Sequence, residues 1–439
     1  MRRIVDLSRL SNWLRLMALC ASIASLTGCV AMKRAPDKFS LSTGNPEKGI
    51  ELHDFPVERG DDVIGRLAVI RLQKGDTLPD IARHFGLGTN AISAANPGVD
   101  VWVPEAGEHV ILPLSFILPD APRKGIVVNL ATMRLFEFKG DSKSPVVSTY
   151  PVGVGTKERP TPTGQMRVVR KAARPTWHVP ASIAEDHRKK GDPLPAEVPP
   201  GPQNPLGEYA LYLSKSGYLI HGTNKPASIG LKASNGCMRL YPENIKMLFG
   251  DTPVNTPVLI VNQPYLLGQR SGVLFMEAHT PLEDSGAIEL EKTYAKLRDI
   301  EKKSGRTLDW RKVKEVQAEA RGVPVPIFEM GQGSEKEAAK TIEVEHPDKL
   351  YGRPEIPELK LDAWYVLAAD VRDETDALRI AAIINHQGPQ IPARVLSKSD
   401  SYRVIAGPFN DIGEAKDAVK RLKIDLDMDG ILIEPVKKG

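Results

Sequence analysis

The chain is 439 residues long, too long for one hydrophobic core and suited to several modules. Its 59 basic and 55 acidic side chains leave a net charge of +4 with no concentrated basic face, which argues against a nucleic-acid partner. The nine His show no paired ligand spacing with Cys or carboxylates, and no glycine-rich phosphate loop stands between a strand and a helix, so no metal and no cofactor is expected.

The N-terminus carries Arg2, Arg3, Arg9 and Arg15, then an apolar run from Leu16 to Leu26, and reaches Leu26-Thr27-Gly28-Cys29. That run is too short to cross a bilayer and reads as a secretory signal over residues 1–28. These residues hold four Arg against Asp6, so their removal leaves about +1. LTGC resembles the lipobox of bacterial lipoproteins, which implies acylation of Cys29; the alternative is an ordinary cleaved signal with a chance Cys. Val30, where Asp would imply retention at the inner membrane, implies by the same resemblance a lipid anchor in the outer membrane and a periplasmic location. Cys20 leaves with the leader and Cys29 is lipidated in this reading, so Cys237 is the one free thiol and no internal disulfide can form. A solitary thiol in an oxidising compartment favours chemistry over packing.

Residues 66–113 read as strand, helix, helix, strand. Ala68 to Leu72 is β-prone; Thr77 can cap a helix with Leu78, Ile81, Ala82 and Phe85 on one side; Gly86 ends it; Asn90 to Ala95 starts a second. VIRLQKGDTLPDIARHFG, AISAANPG and VILP resemble a lysin motif, a small βααβ module that binds glycan strands. The resemblance implies a groove between Gly75-Asp76-Thr77 and Asn96-Pro97-Gly98, which on their own chemistry are ordinary turns.

Residues 122–263 read mostly as strands, a β-rich sandwich or barrel-like domain, with one helix from Pro242. The segment from Asp192 to Gly207 holds six prolines and can be neither central strand nor helix; it is either a stiff lid over a groove or a rigid surface connection. The stretch YLIHGTNKPASIGLKASNGCMRL, Tyr218 to Leu240, carries the chemistry. A short apolar strand delivers His221, and a small-residue turn, Ser234-Asn235-Gly236, presents Cys237 sixteen residues later. An imidazole beside a thiol can take its proton and stabilise the thiolate, so a thiolate–imidazolium pair is expected. Gly222 lets the backbone approach, Gly236 leaves room and amide groups for an oxyanion, and Arg239 follows one strand step beyond.

HGT, IG and SxGCxR in this order resemble the L,D-transpeptidase (YkuD) catalytic domain, along with IVVNLATMRLFEF, YPVGVG, TPTG, PTWHVP and GPQNPLGEYAL. The resemblance runs from about Gly125 to Asn262 and implies Cys237 as nucleophile, His221 as base and the Gly222 carbonyl as the group that orients the imidazole. Ser234, Asn235, Gly236 and Arg239 are the expected substrate and oxyanion support. Asn235 stands where many family members carry a His, which puts in doubt an accessory proton role there.

Residues 264–328 read as a strand-and-helix appendage in which His279 is structural. Residues 329–360 are charged, broken by Gly and Pro, and read as a flexible linker. From 361 to 437 an internal repeat of period 38 matches Ala368, Ala377 and Ala381 to Ala406, Ala415 and Val419, which predicts a four-stranded sheet with two helices on one face, a ferredoxin-like α/β module. WYVLAADV and YRVIAGPF in this pattern resemble a SPOR domain, which implies binding to peptidoglycan; its face could instead serve another envelope protein.

Taken together these resemblances imply an enzyme that cleaves peptidoglycan stem peptides after meso-diaminopimelate and passes the acyl group to an amine, either another stem or the Lys of an outer-membrane lipoprotein. Hydrolysis at the same site, or an inactive wall-binding scaffold, are the alternatives.

Overall fold

The computed structural model describes residues 53–140, 145–282, 286–328, 341–388 and 390–436, all within one unit that begins at Ile50. The expected leader, residues 1–28, and Cys29 lie outside the described residues.

In the first module, strand Ala68–Arg71 pairs antiparallel with His109–Leu112, and helices Leu78–His84 and Thr89–Ala95 pack on them. The first helix starts where its cap chemistry requires. Thr77 is extended and its Oγ1 accepts the Asp80 amide at 3.2 Å, which satisfies one of the free first-turn donors. Leu78, Ile81, Ala82 and Ile92 are fully buried beneath. Gly86 ends the helix at φ +63°, and a Cβ there would sit 2.7 Å from the His53 ring.

The segment expected as a linker differs from that reading. Ile342–Val344 joins the module as a third strand, parallel to Ala68–Ile70, and Leu350 is buried in its core. A three-residue strand with two apolar side chains suffices to cover an open sheet edge whose amides and carbonyls need partners. Residues 329–340 lie outside the described residues.

The central domain is built on one mixed nine-stranded sheet in the order Asp54–Pro56, Val146–Pro151, Arg134–Lys139, Gly125–Asn129, Pro257–Val261, Gly164–Ala173, Tyr209–Leu213, Leu219–His221, Met238–Arg239. Helix Pro242–Asp251 buries Ile245 and Leu248 against this β-rich core. A further helix, Ala181–Lys189, was not foreseen; it buries no residue and so carries no apolar stripe for sequence to show.

The appendage is a sheet of Tyr265–Arg270, Val273–Ala278 and Val325–Pro326 with helices Gly286–Ser304 and Trp310–Glu319 over its own core. His279 Nε2 lies 2.6 Å from the Glu277 carboxylate, whose other oxygen accepts the Ile117 amide at 2.8 Å. The last module has four antiparallel strands, ordered Ala393–Lys398, Ser401–Phe409, Trp364–Val371, Ile431–Ile433, and helices Glu374–Asn385 and Ile412–Leu426. The helix caps repeat as well: Asp373 accepts the Asp376 amide and Asp411 accepts the Glu414 amide, each at 2.9 Å. This module docks on the others through Arg379–Asp100 at 2.9 Å, His386–Asp80 at 3.1 Å and Lys420–Asp192 at 2.7 Å. No helix among the described residues is long and apolar enough to cross a membrane.

Candidate active site

Sheet register brings the expected pair together. Met238–Arg239 runs parallel to Leu219–His221 with Ile220 opposite Met238 and His221 opposite Arg239. Cys237 therefore lies beside Leu219, and because alternate residues share a face, Cys237 and Arg239 point the same way as Leu219 and His221. Extending the pairings outward gives two rows on one face: Arg170, Tyr212, Leu219 and Cys237 in the first, and Ala172, Ala210, His221 and Arg239 in the second. Cys237, His221 and Arg239 line a cavity of about 360 Å³ above them.

The imidazole is held in one tautomer. His221 Nδ1–H donates to the Gly222 carbonyl at 2.7 Å, which leaves Nε2 as the lone pair. Gly222 sits in a tight place, since a Cβ would lie 3.2 Å from both Ile245 Cγ2 and the Leu206 carbonyl oxygen. Burial lowers the His221 pKa to about 3, the Arg239 charge adds to that, and backbone hydrogen bonds to Gly222 and Leu206 oppose it. Burial also pushes the Cys237 thiol up, against a backbone hydrogen bond at Leu219 and the Arg239 charge. Both shifts favour the neutral forms. They run against the expected thiolate–imidazolium pair, because the same burial penalises both charges.

The turn that presents Cys237 is fastened from three sides. Ser234 Oγ donates to the Cys237 carbonyl at 2.5 Å and accepts the Gly236 amide at 3.2 Å. The Gly236 amide is thus engaged inside the turn. Gly236 adopts φ +100°, and a Cβ there would lie 3.0 Å from the Tyr218 ring. Thr161 Oγ1 donates to the Gly236 carbonyl and accepts the Gly155 amide, both at 2.9 Å. Asn235 is exposed and its Oδ1 accepts from Arg159 Nη1 at 2.9 Å, while Arg159 Nη2 reaches Asp186 at 2.5 Å on the Ala181–Lys189 helix. Arg239 Nε is buried without a hydrogen-bond partner, and burial lowers its pKa.

Residues 175–206 roof the cavity, with Pro175, Trp177, Ile183 and Leu206 facing it. Trp177–His178 pairs with Glu197–Val198 as a short ribbon inside this segment. Asn204, fully buried, gathers the roof: its amide donates to the carbonyls of Pro175, Val198 and Pro199 at 2.8, 3.1 and 3.2 Å, and its Oδ1 accepts the Leu206 amide at 2.9 Å. Thr161 lies within TPTG and Asn204 within GPQNPLGEYAL, but the sequence reading gives neither a role of its own, nor Arg159 and Arg170.

The residues expected to touch glycan fare unevenly. Asp76 and Thr77 are buried under the later segments: His346 Nε2 lies 2.9 Å from Asp76, Arg353 bonds the Gly75 carbonyl, and His386 lies 3.5 Å from Thr77 Oγ1. Asn96 is buried and clamps Ile92 and Ile111 through its amide. These three serve the fold, whereas Gly75, Pro97 and Gly98 remain exposed. Among the described residues no group of three His, Cys, Asp or Glu could hold a metal.

Comparison with known proteins adds to this geometry. The L,D-transpeptidase catalytic domain family, YkuD, matches residues 123–260, and the SPOR domain matches residues 360–434. The Escherichia coli K12 protein named Probable L,D-transpeptidase ErfK/SrfK is 40% identical over 232 residues, 52% of this chain and 74% of that one. Its Salmonella typhimurium namesake is 37% identical over 279 residues, 61% of this chain and 88% of that one. Among solved structures, the catalytic domain of an Enterococcus faecium L,D-transpeptidase is 24% identical with a TM-score of 0.25, covering 32% of this chain and 99% of that one.

Proposed function

On the premise that this chain belongs to the L,D-transpeptidase family and is an enzyme that acts on peptidoglycan, we propose that Cys237 is its nucleophile and His221 its base. The observation that carries this is the tautomer lock: Nδ1–H is tied to the Gly222 carbonyl, which leaves the lone pair on Nε2, and His221 and Cys237 line one cavity. The neutral imidazole keeps a lone pair for the thiol proton, which moves as the sulfur bonds to the substrate carbonyl and the charge on sulfur is relieved.

The donor is a stem tetrapeptide. As the thiol proton moves to His221 Nε2, the sulfur attacks the carbonyl of the third residue, meso-diaminopimelate. The Cys237 amide stabilises the oxyanion, with Arg239 supplying positive charge beside it. The tetrahedral intermediate breaks its C–N bond, His221 returns the proton to the leaving nitrogen, and D-Ala departs from a thioester on Cys237. An amine then attacks the thioester, loses its proton to His221, and leaves with the acyl group while the thiol is restored. The acceptor amine belongs to another stem, giving a direct crosslink, or to a lipoprotein Lys. Water in its place makes the site a carboxypeptidase.

The flanking parts hold this reaction at the wall. The SPOR domain binds peptidoglycan, residues 66–113 act as a lysin motif whose glycan contacts fall to Gly75, Pro97 and Gly98, and Cys29 is acylated to anchor the periplasmic protein at the outer membrane. Binding through several modules raises the local concentration of the catalytic site.

Tetrapeptide muropeptides given to the full chain test the chemistry through free D-Ala and the mass of the Cys237 peptide. Cys237→Ala abolishes D-Ala release and His221→Ala reduces it severely. Undiminished release from Cys237→Ala would sink the mechanism, and a wild-type protein that binds wall without forming an adduct would favour the scaffold.

A further inference from the structure

The cavity over Cys237 is one-sided in charge. Arg170 and Arg239 both line it, and no Asp or Glu among the described residues does. Neighbouring cations outside it are engaged elsewhere: Arg159 pairs with Asp186 at 2.5 Å, Arg174 lies 3.8 Å from Glu208, and Lys171 bonds the Phe249 carbonyl. Arg170 is exposed and has no carboxylate partner among the described residues; its guanidinium instead lies 3.6 Å from the centre of the Tyr212 ring. An exposed Arg normally wanders over many rotamers. Stacking on an aromatic face holds this one over the cavity without consuming its hydrogen-bond donors.

Arg170 also stands in the row of the nucleophile. Its pairing with Tyr212, Tyr212 with Leu219, and Leu219 beside Cys237 places it three strands away on one face. At about 4.8 Å per strand that is about 14 Å between the backbones. An extended Arg side chain closes much of this span from one end. From the other, the donor stem has two free carboxylates within one or two residue lengths of the scissile carbonyl, roughly 3.5 to 7 Å. One is the terminal carboxylate of D-Ala; the other is the side-chain carboxylate of the third residue. Arg239 sits opposite His221 next to the reacting atoms, so it is placed for the oxyanion and Arg170 for a more distant anion.

We propose that Arg170 is a specificity-determining residue that binds a carboxylate of the donor stem peptide and so sets the stem along the row that ends at Cys237. This rests on the transpeptidase reading of the site. The planar fork of a guanidinium matches a carboxylate through two parallel hydrogen bonds, which fixes direction as well as charge.

Steady-state release from the full chain decides it, with three donors: the tetrapeptide, the same peptide amidated on the side-chain carboxylate of the third residue, and the same peptide ending in D-alaninamide. Arg170→Ala is expected to raise KM for the tetrapeptide about 10- to 100-fold, the value of a charge-assisted pair, with the loss in KM more than in kcat. Arg170→Lys recovers part of it by keeping the charge without the fork. One of the two amidated donors should already be poor for the wild type and indifferent to Arg170→Ala, and which one it is names the carboxylate. An Arg170→Ala penalty of equal size on all three donors would overturn the proposal, as would no penalty at all. Mass analysis of the Cys237 peptide at saturating tetrapeptide keeps the two readings apart: no thioester in the wild type is a failure of the transpeptidase mechanism, whereas a thioester in both wild type and Arg170→Ala leaves only carboxylate recognition under test.

Discussion

Replacing Asn204 by Ala isolates what holds the roof over Cys237. The Asn204 side chain is fully buried and reaches three carbonyls and one amide of residues 175–206. Its NH₂ has two hydrogens, so two donated bonds and one accepted bond count at a time. At about 1 kcal/mol net each, their loss costs about 3 kcal/mol, roughly a hundredfold in the ratio of closed to open roof. The segment's other fasteners are weak: a two-residue ribbon, and the partly or largely exposed pairs His178–Glu197 at 2.9 Å, Arg159–Asp186 at 2.5 Å and Lys420–Asp192 at 2.7 Å. The cost should therefore appear as local opening. Hydrogen exchange followed by mass spectrometry should show peptides within 175–206 exchanging about a hundredfold faster in Asn204→Ala, while peptides within 125–139 of the central sheet keep their protection. KM for the stem should rise with it, since Trp177 and Leu206 line the same cavity. Unchanged exchange in the roof would refute the reasoning, and equal loss of protection in the central sheet would show that Asn204 supports the whole domain and not the roof.

Acidification supplies a second prediction. His221 is lowered to about 3 and His84 to about 4, both chiefly by burial. Unfolded, each takes a proton near pH 6.5, so between about pH 6.5 and the folded values the unfolded state binds more protons and stability falls as pH falls. Thermal unfolding followed from pH 7 to 4 should show this decline, and His221→Gln should flatten it; an unaltered slope would mean that His221 titrates normally. For the same reason the acid limb of kcat/KM should lie well below pH 6.5, read from D-Ala release. A third prediction concerns the joint between the first module and the catalytic domain. Arg83 forks onto Glu243 with both bonds at 2.9 Å, and the Glu243 side chain is 3% exposed. Arg83→Ala leaves a buried carboxylate alone and should cost about 3 to 5 kcal/mol, whereas Arg83→Ala with Glu243→Gln should recover much of it; equal costs would argue against a buried-charge penalty.

Local chemistry was readable from the sequence alone. The Thr77 cap, the glycine stop at Gly86, the helix after Pro242 and the repeat that puts Asp373 and Asp411 at matching caps are decided within a few residues, so their signals survive in a linear reading. His221 and Cys237 stood out because strand, glycine and turn flank them at short range. Tertiary structure decided the rest. Residues 342–344 form a strand only because Ala68–Ile70 offers an open edge, and a composition average hides their two apolar side chains. Asp76 and Thr77 look like an exposed turn until His346, Arg353 and His386 arrive from about 270 to 310 residues away. Asn204 and Thr161 act on backbone carbonyls, which carry no sequence signature. Arg170 joins the row of Cys237 only through the pairing of three strands. The electrostatics of the site are also beyond residue type, since whether a Cys and a His beside each other carry charge depends on how deeply the fold buries them.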